Sequence, residues 1–77
     1  MKTLNQLALG QRARVKKLTG RHNLKHKLAD MGITPGTMIV LKRMAPMGDP
    51  IEINLRGYEL SLRKTDAQMI VVEEEEK

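Results

Sequence analysis

A mainly β fold is what this 77-residue sequence predicts, with about five short strands rolled into a small barrel, one short helix between strands 1 and 2, and short helical turns near both ends. Three observations carry that expectation. Ile51, Ile53 and Leu55 alternate with Glu52, Asn54 and Arg56, and Leu60 and Leu62 alternate with Glu59, Ser61 and Arg63, the period-two signature of half-buried antiparallel strands. Between them Arg56-Gly57-Tyr58 holds a glycine that can take positive φ, so the chain reverses tightly into a hairpin with one apolar face. A lone hairpin is marginal in water, so the other segments must cover that face, and a chain of this length has room for only one core.

The covering elements can be read in order. Thr3-Leu4-Asn5-Gln6 has capping-box spacing, which predicts a one-turn helix that sends Leu4 and Leu7 to one side and ends at Leu9-Gly10. Arg12 to Lys16 alternates with Ala13 and Val15 inward, and Leu18 breaks the phase after Lys17, so a bulge or the strand end falls there. Asn23 is read as the cap of a short helix whose Leu24, Leu28 and Met31 share a face. Gly32 takes the left-handed position that ends it, with Ile33 folding back on Leu28. Two turns are too short to stand alone, so this helix must dock.

Thr34-Pro35-Gly36 has the proline and glycine of a type II turn. Met38 to Met44 reads as a strand whose inward phase is left open, because both phases are apolar. Pro46 to Pro50 is an exposed loop turning at Gly48-Asp49, with Asp49 capping its own turn. After the hairpin, Thr65-Asp66-Ala67-Gln68 has capping-box spacing and Met69 to Val72 is a short strand. Residues 1–72 form a single domain, and Glu73 to Lys77 is an acidic tail expected to fray. Closure of the barrel leaves no free sheet edge.

Composition narrows the function. The sequence has no cysteine, which excludes disulfide staples, zinc ribbons and thiol chemistry. The longest apolar run is Met38 to Leu41 and the start lacks a secretory apolar segment, so the expectation is a cytoplasmic protein without membrane insertion. The net charge is +5, but up to Val72 thirteen lysines and arginines stand against five acidic residues, a balance of +8. Such a surface attracts an acidic partner, which leaves nucleic acid, protein and anionic headgroups open. Single-strand recognition relies on aromatic stacking and Tyr58 is the only aromatic residue, so no stable nucleic-acid complex is expected.

Gly10 before a basic strand, the run Leu28-Ala29-Asp30-Met31-Gly32-Ile33-Thr34-Pro35-Gly36-Thr37, then Ala45-Pro46-Met47-Gly48-Asp49-Pro50 and Arg56-Gly57-Tyr58-Glu59-Leu60-Ser61-Leu62-Arg63, resemble the ferrous iron transport protein A (FeoA) family in order and spacing over nearly the whole chain. The resemblance implies an SH3-like β-barrel of the bacterial cytoplasm. It also implies an accessory role to FeoB, the membrane ferrous iron transporter with a cytoplasmic GTPase domain, which could recruit this protein to the inner face of the membrane. A similar domain forms the C-terminal part of some iron-dependent transcriptional regulators. Because no helix-turn-helix precedes the barrel here, the expectation is a stand-alone accessory, monomeric or weakly self-associating, with a small basic nucleic-acid-binding barrel or a regulatory module as the alternatives. The glutamate tail is outside the family pattern.

Candidate site residues were weighed against their ordinary structural roles. His22, His26 and Asp30, four apart, are ligand types for iron or zinc, yet their face is opposite Leu24, Leu28 and Met31 and has no groups to orient the imidazoles. With Asn23 as the cap, His22 also lies outside the helix, and no metal site is assigned. No cofactor and no catalytic residue is assigned either, since Ser61, Asp49, Glu52 and Glu59 lack an acid/base context. Arg43 and Arg56 flank the hairpin and are the candidates for stabilising charge on a GTPase in trans, against the ordinary reading of solvated surface arginines. Met44, Met47 and Tyr58 stand in or beside loops at the hairpin's ends. With Arg43 and Arg56 they form the candidate partner-binding set, against the alternative that Met44 and Tyr58 only close the barrel ends.

Overall fold

The computed structural model describes residues 2–74. Six strands, β1 (Lys2–Thr3), β2 (Arg12–Leu18), β3 (Met38–Met44), β4 (Ile51–Leu55), β5 (Tyr58–Leu62) and β6 (Ile70–Glu74), form one antiparallel sheet in the order β1-β6-β2-β3-β4-β5. Helix α1 (His22–Asp30) joins β2 to β3, α2 (Lys64–Ala67) joins β5 to β6, and a 3₁₀ turn (Leu4–Gln6) follows β1. The mainly β class holds, with two differences. A two-residue strand at the start makes the count six, and the ladder stays open, with β1 and β5 as its edges. Side chains rather than hydrogen bonds finish the enclosure, because the Leu4–Gln6 turn and α2 meet each other with Leu4 and Ala67 buried.

One face of every long strand feeds a single core. Ala13 and Val15 of β2, Ile39 and Leu41 of β3, Ile51, Ile53 and Leu55 of β4, Leu62 of β5 and Ile70 and Val72 of β6 are all buried, while Leu60 is partly so. Ile39 and Leu41 thus settle the phase of β3. Each buried valine, leucine or isoleucine among them contributes roughly 1.5–3 kcal/mol by leaving water. The phase break reflects a bulge, and β2 also ends at Leu18: the register with β6 shifts between Val15 and Lys17, which leaves Lys16 and Lys17 both outside and turns Leu18 partly inward.

Helix α1 begins at His22, one residue before the expected cap, with Arg21 in extended conformation as N-cap and no side-chain bond. Asn23 therefore lies inside the helix. The C-terminus forms as the sequence demands. Gly32 has φ 94°, its N–H donates to the Ala29 carbonyl at 2.9 Å, and the Ile33 N–H donates to the Leu28 carbonyl at 3.0 Å. Leu28 and Ile33 are both fully buried, which docks the helix on the sheet. The following turn closes with Thr37 N–H to Thr34 carbonyl at 3.0 Å, and its Gly36 and Thr37 bond Val15 of β2.

The hairpin turn consists of two residues, Arg56 and Gly57, with Tyr58 already paired to Leu55 in β5. Both turn residues have positive φ, 49° and 86°, as the twist of a two-residue hairpin requires. An arginine in that region costs on the order of 1 kcal/mol. Its guanidinium offsets this by reaching across to the segment after α1, donating to the Gly32 carbonyl at 3.3 Å, to Thr34 Oγ1 at 3.3 Å and to Thr37 Oγ1 at 3.0 Å. The Tyr58 hydroxyl donates to the Met31 carbonyl beside it. Hairpin turn and helix end are thereby fastened together.

Two further differences concern the ends of elements. Helix α2 starts at Lys64 with Arg63 as N-cap, and its first amide is bound at 2.9 Å by Asp49 Oδ1, so Asp49 caps a distant helix rather than its own turn. Strand β6 runs on through Glu73 and Glu74, which pair with Arg14 and Ala13 of β2. The frayed tail expected from Glu73 therefore does not include these two residues, and residues 75–77 lie outside the described range. Lys16 Nζ is 3.2 Å from Glu73 Oε1, and the Lys2 ammonium pairs with Glu74. Hydrogen bonds from Lys2 and then Gln11 hold the Glu74 carboxyl below the usual carboxylate range.

Three outcomes follow for stability. Gly32→Ala destabilises more than Gly36→Ala in urea unfolding, by about 2 against about 1 kcal/mol. Both positions have positive φ, but only at 32 does the added methyl meet another group, the Tyr58 hydroxyl at 2.9 Å. Arg56→Ala costs about 1–2 kcal/mol and Arg56→Gly several tenths less, because glycine relaxes the backbone while losing the same bonds; Tyr58→Phe costs about 1 kcal/mol. A lowered Glu74 pKa means that its contribution is complete above the ordinary carboxylate range and is lost as pH falls through the lowered value. Glu74→Gln accordingly flattens the acid limb of the stability–pH profile measured by thermal unfolding.

Candidate functional site

Arg43, Met44 and Met47 come together at one end of the hairpin. The chain leaves β3 at Met44 and turns through Ala45-Pro46-Met47-Gly48, closed by the Gly48 N–H donating to the Ala45 carbonyl at 2.7 Å. Proline second and glycine fourth suit that turn. The Ala45 N–H to Pro50 carbonyl bond at 3.0 Å and the Asp49 cap on α2 fix the loop at its base. A rigid tip results, with Met47 87% exposed and Met44 37% exposed beside Gly48. Arg43 extends along the flank, its Nε 3.7 Å from Glu52 Oε1, and an open cavity of about 320 Å³ lined by Asp49, Pro50 and Arg63 lies against the loop base.

Arg56 and Tyr58 stand at the other end. Ile51, paired with Met44, and Leu55, paired with Tyr58, are the two ends of the five-residue β4, four steps or roughly 14 Å apart at strand rise. The five candidate residues therefore form two groups and not one patch. The guanidinium of Arg56 is spent on Gly32, Thr34 and Thr37, and Tyr58, although 43% exposed, is bonded to Met31. These bonds give both residues a structural task. The sequence could not show it, since the partners lie 19 to 27 residues away.

On α1, His22 is inside the helix after all, and its ring meets that of His26 edge to face with centroids 4.4 Å apart. Both are exposed, as is Asp30. Among the described residues no three His, Asp or Glu side chains gather at metal-ligand spacing. The two imidazoles instead line, with Leu18, Lys25 and Ala29, an open cavity of about 270 Å³ whose surface is almost wholly apolar. The sequence reading missed this groove, because it depends on the bulge that turns Leu18. It also gave no role to Leu9, 64% exposed in the turn held to β3 by the Gly10 N–H to Leu41 carbonyl bond at 2.7 Å. No helix among the described residues is long and apolar enough to cross a membrane.

Comparison with known proteins agrees with this architecture. A FeoA-like protein from Clostridium acetobutylicum, solved by NMR, superposes with a TM-score of 0.90 at 41% identity, covering 99% of this chain and 88% of the other. The Stenotrophomonas maltophilia FeoA complexed with zinc, described as a procaryotic SH3 domain protein, superposes at 0.83 with 23% identity over 95% of this chain and 91% of that one, which places the fold in the SH3-like class. An Fe(2+) transport protein A/Fe(2+) transporter FeoB fusion protein from Porphyromonas gingivalis is 33% identical over 70 residues, 91% of this chain but only 8% of that far longer protein. The FeoA domain pattern itself matches residues 2–74, and the chain belongs to the FeoA domain family.

Proposed function

We propose that this protein is a non-catalytic accessory of bacterial ferrous iron uptake that binds a FeoB-type transporter on its cytoplasmic side and modulates it through protein contacts. The observation that carries this reading is the fusion relative, in which a segment similar to this chain is covalently joined to FeoB. Joining two modules raises their effective concentration, which is useful when the two must meet. The pinned Ala45–Gly48 turn supports the same reading. It presents Met47 without the ordering entropy that a loose loop would lose on binding, and Arg43 and Met44 complete a small apolar tip with a basic flank. Methionine suits such a contact, since its unbranched side chain adapts to the opposing surface. Arg56 and Tyr58 serve the reading indirectly, by holding the hairpin that carries this loop.

The decisive experiment is capture of the transporter's cytoplasmic region by this immobilised protein. Wild type captures it, and the Met44→Glu/Met47→Glu double variant loses at least tenfold in affinity with an unchanged Tm, as expected for central contact residues. Equal capture by the variant would dismiss the loop as the docking surface. Absence of capture by wild type, with no change in the transporter's GTP hydrolysis at saturation, would dismiss the reading altogether.

A further inference from the structure

We infer that the groove between helix α1 and the end of β2 binds an acidic peptide segment carrying an aliphatic or aromatic side chain. The floor is Leu18, turned toward the helix by the β2 bulge, and Ala29, the smallest side chain on that helix face. His22 and His26 form one wall with their rings in edge contact, and the stem of Lys25 completes it. An open, nearly all-carbon cavity of about 270 Å³ has the size and character to take one apolar side chain.

The rim specifies the rest. Arg21 and Lys25 stand at the N-terminal end of α1, whose first turn has no acid, while Lys27 lies in the last turn and the helix's one acid, Asp30, sits at its last position. Arg21, Lys25 and Asp30 are thus each toward the unfavourable end of the helix dipole, and Lys27 is toward the favourable one. Among the described residues, neither Arg21 nor Lys25 has an ion-pair partner. A helix start whose two cations are unanswered beside an apolar groove is arranged for carboxylates supplied from outside. The chain's own described glutamates on β6 are poorly placed to supply them. Leu18 pairs with Ile70 and Ala13 with Glu74, so Glu73 and Glu74 stand at the far end of β2, roughly 14–17 Å along the strand. A nucleic-acid backbone would satisfy the cations but leave the apolar floor empty, and a flat bilayer surface would not enter a groove.

The test uses the whole protein and a fluorescein-labelled peptide of about twelve residues, with two leucines flanked by aspartates and glutamates. The peptide is expected to bind with amide and side-chain shift changes centred on Leu18, His22, Lys25, His26 and Ala29, and replacing its leucines by serine weakens binding at least fivefold. Lys25→Glu weakens binding at least fivefold while raising Tm by about 2–5 °C, because it corrects the charge near the helix start. Ala29→Gln, which fills the floor, also weakens binding. Absence of binding overturns the inference. So do shift changes centred on Arg12, Arg14 and Lys16, a Lys25→Glu variant that gains stability without losing peptide, or tighter binding at this groove of single-stranded DNA or phosphatidylglycerol vesicles.

Discussion

The fastening of the α1 end to the β4–β5 turn is the constraint on which the rest of this small fold depends. A nine-residue helix is too short to persist unaided, and the sheet it covers is an open ladder with two edges. The segment from Met31 to Thr37 joins them. It ends the helix, buries Ile33, bonds β2 through Gly36 and Thr37, and accepts the guanidinium of Arg56 and the hydroxyl of Tyr58. Remove that junction and α1 loses its registration on the core, which in turn uncovers Leu28 and Ile33. The unfavourable φ of Arg56 makes sense in this light, since the side chain reaches its three acceptors from a backbone that a glycine would adopt more easily.

Stability and surface character pull against each other elsewhere. The core is aliphatic, and the one buried polar side chain among the described residues, Thr37, is fully engaged in the junction. Outside, Met47 is held in water on a pinned turn, and α1 carries Arg21 and Lys25 at its start and Asp30 at its end, against its dipole. Neither arrangement strengthens the fold. Features that oppose local preference while the surrounding structure holds them rigid are where contact with other molecules is to be sought.

What was legible in the sequence was whatever short-range pattern determines. Alternation gave β4 and β5, the Gly32–Ile33 pair gave the helix end, and Pro46 and Gly48 gave an exposed turn. Non-local choices were not legible. Asn23 looked like a cap because its side chain can bond an amide, but an extended Arg21 starts the helix without any such bond. Asp49 was assigned to its own turn, although its acceptor was needed fifteen residues later at Lys64. Glu73 and Glu74 looked like a self-repelling run, yet Lys2 and Lys16 neutralise them within a strand. The candidate site divided for the same reason. Sequence proximity put Tyr58 and Arg56 with the exposed methionines, while the length of β4 put them at opposite ends.

Strands β1 and β6 run side by side, with Lys2 opposite Val72 and salt-bridged to Glu74. Entry and exit of the domain thus share one corner, like two wires leaving a single socket. A unit wired in this way can be spliced into a larger polypeptide without spreading its attachment points, and the helical groove, at the other end of β2, stays clear of the exit.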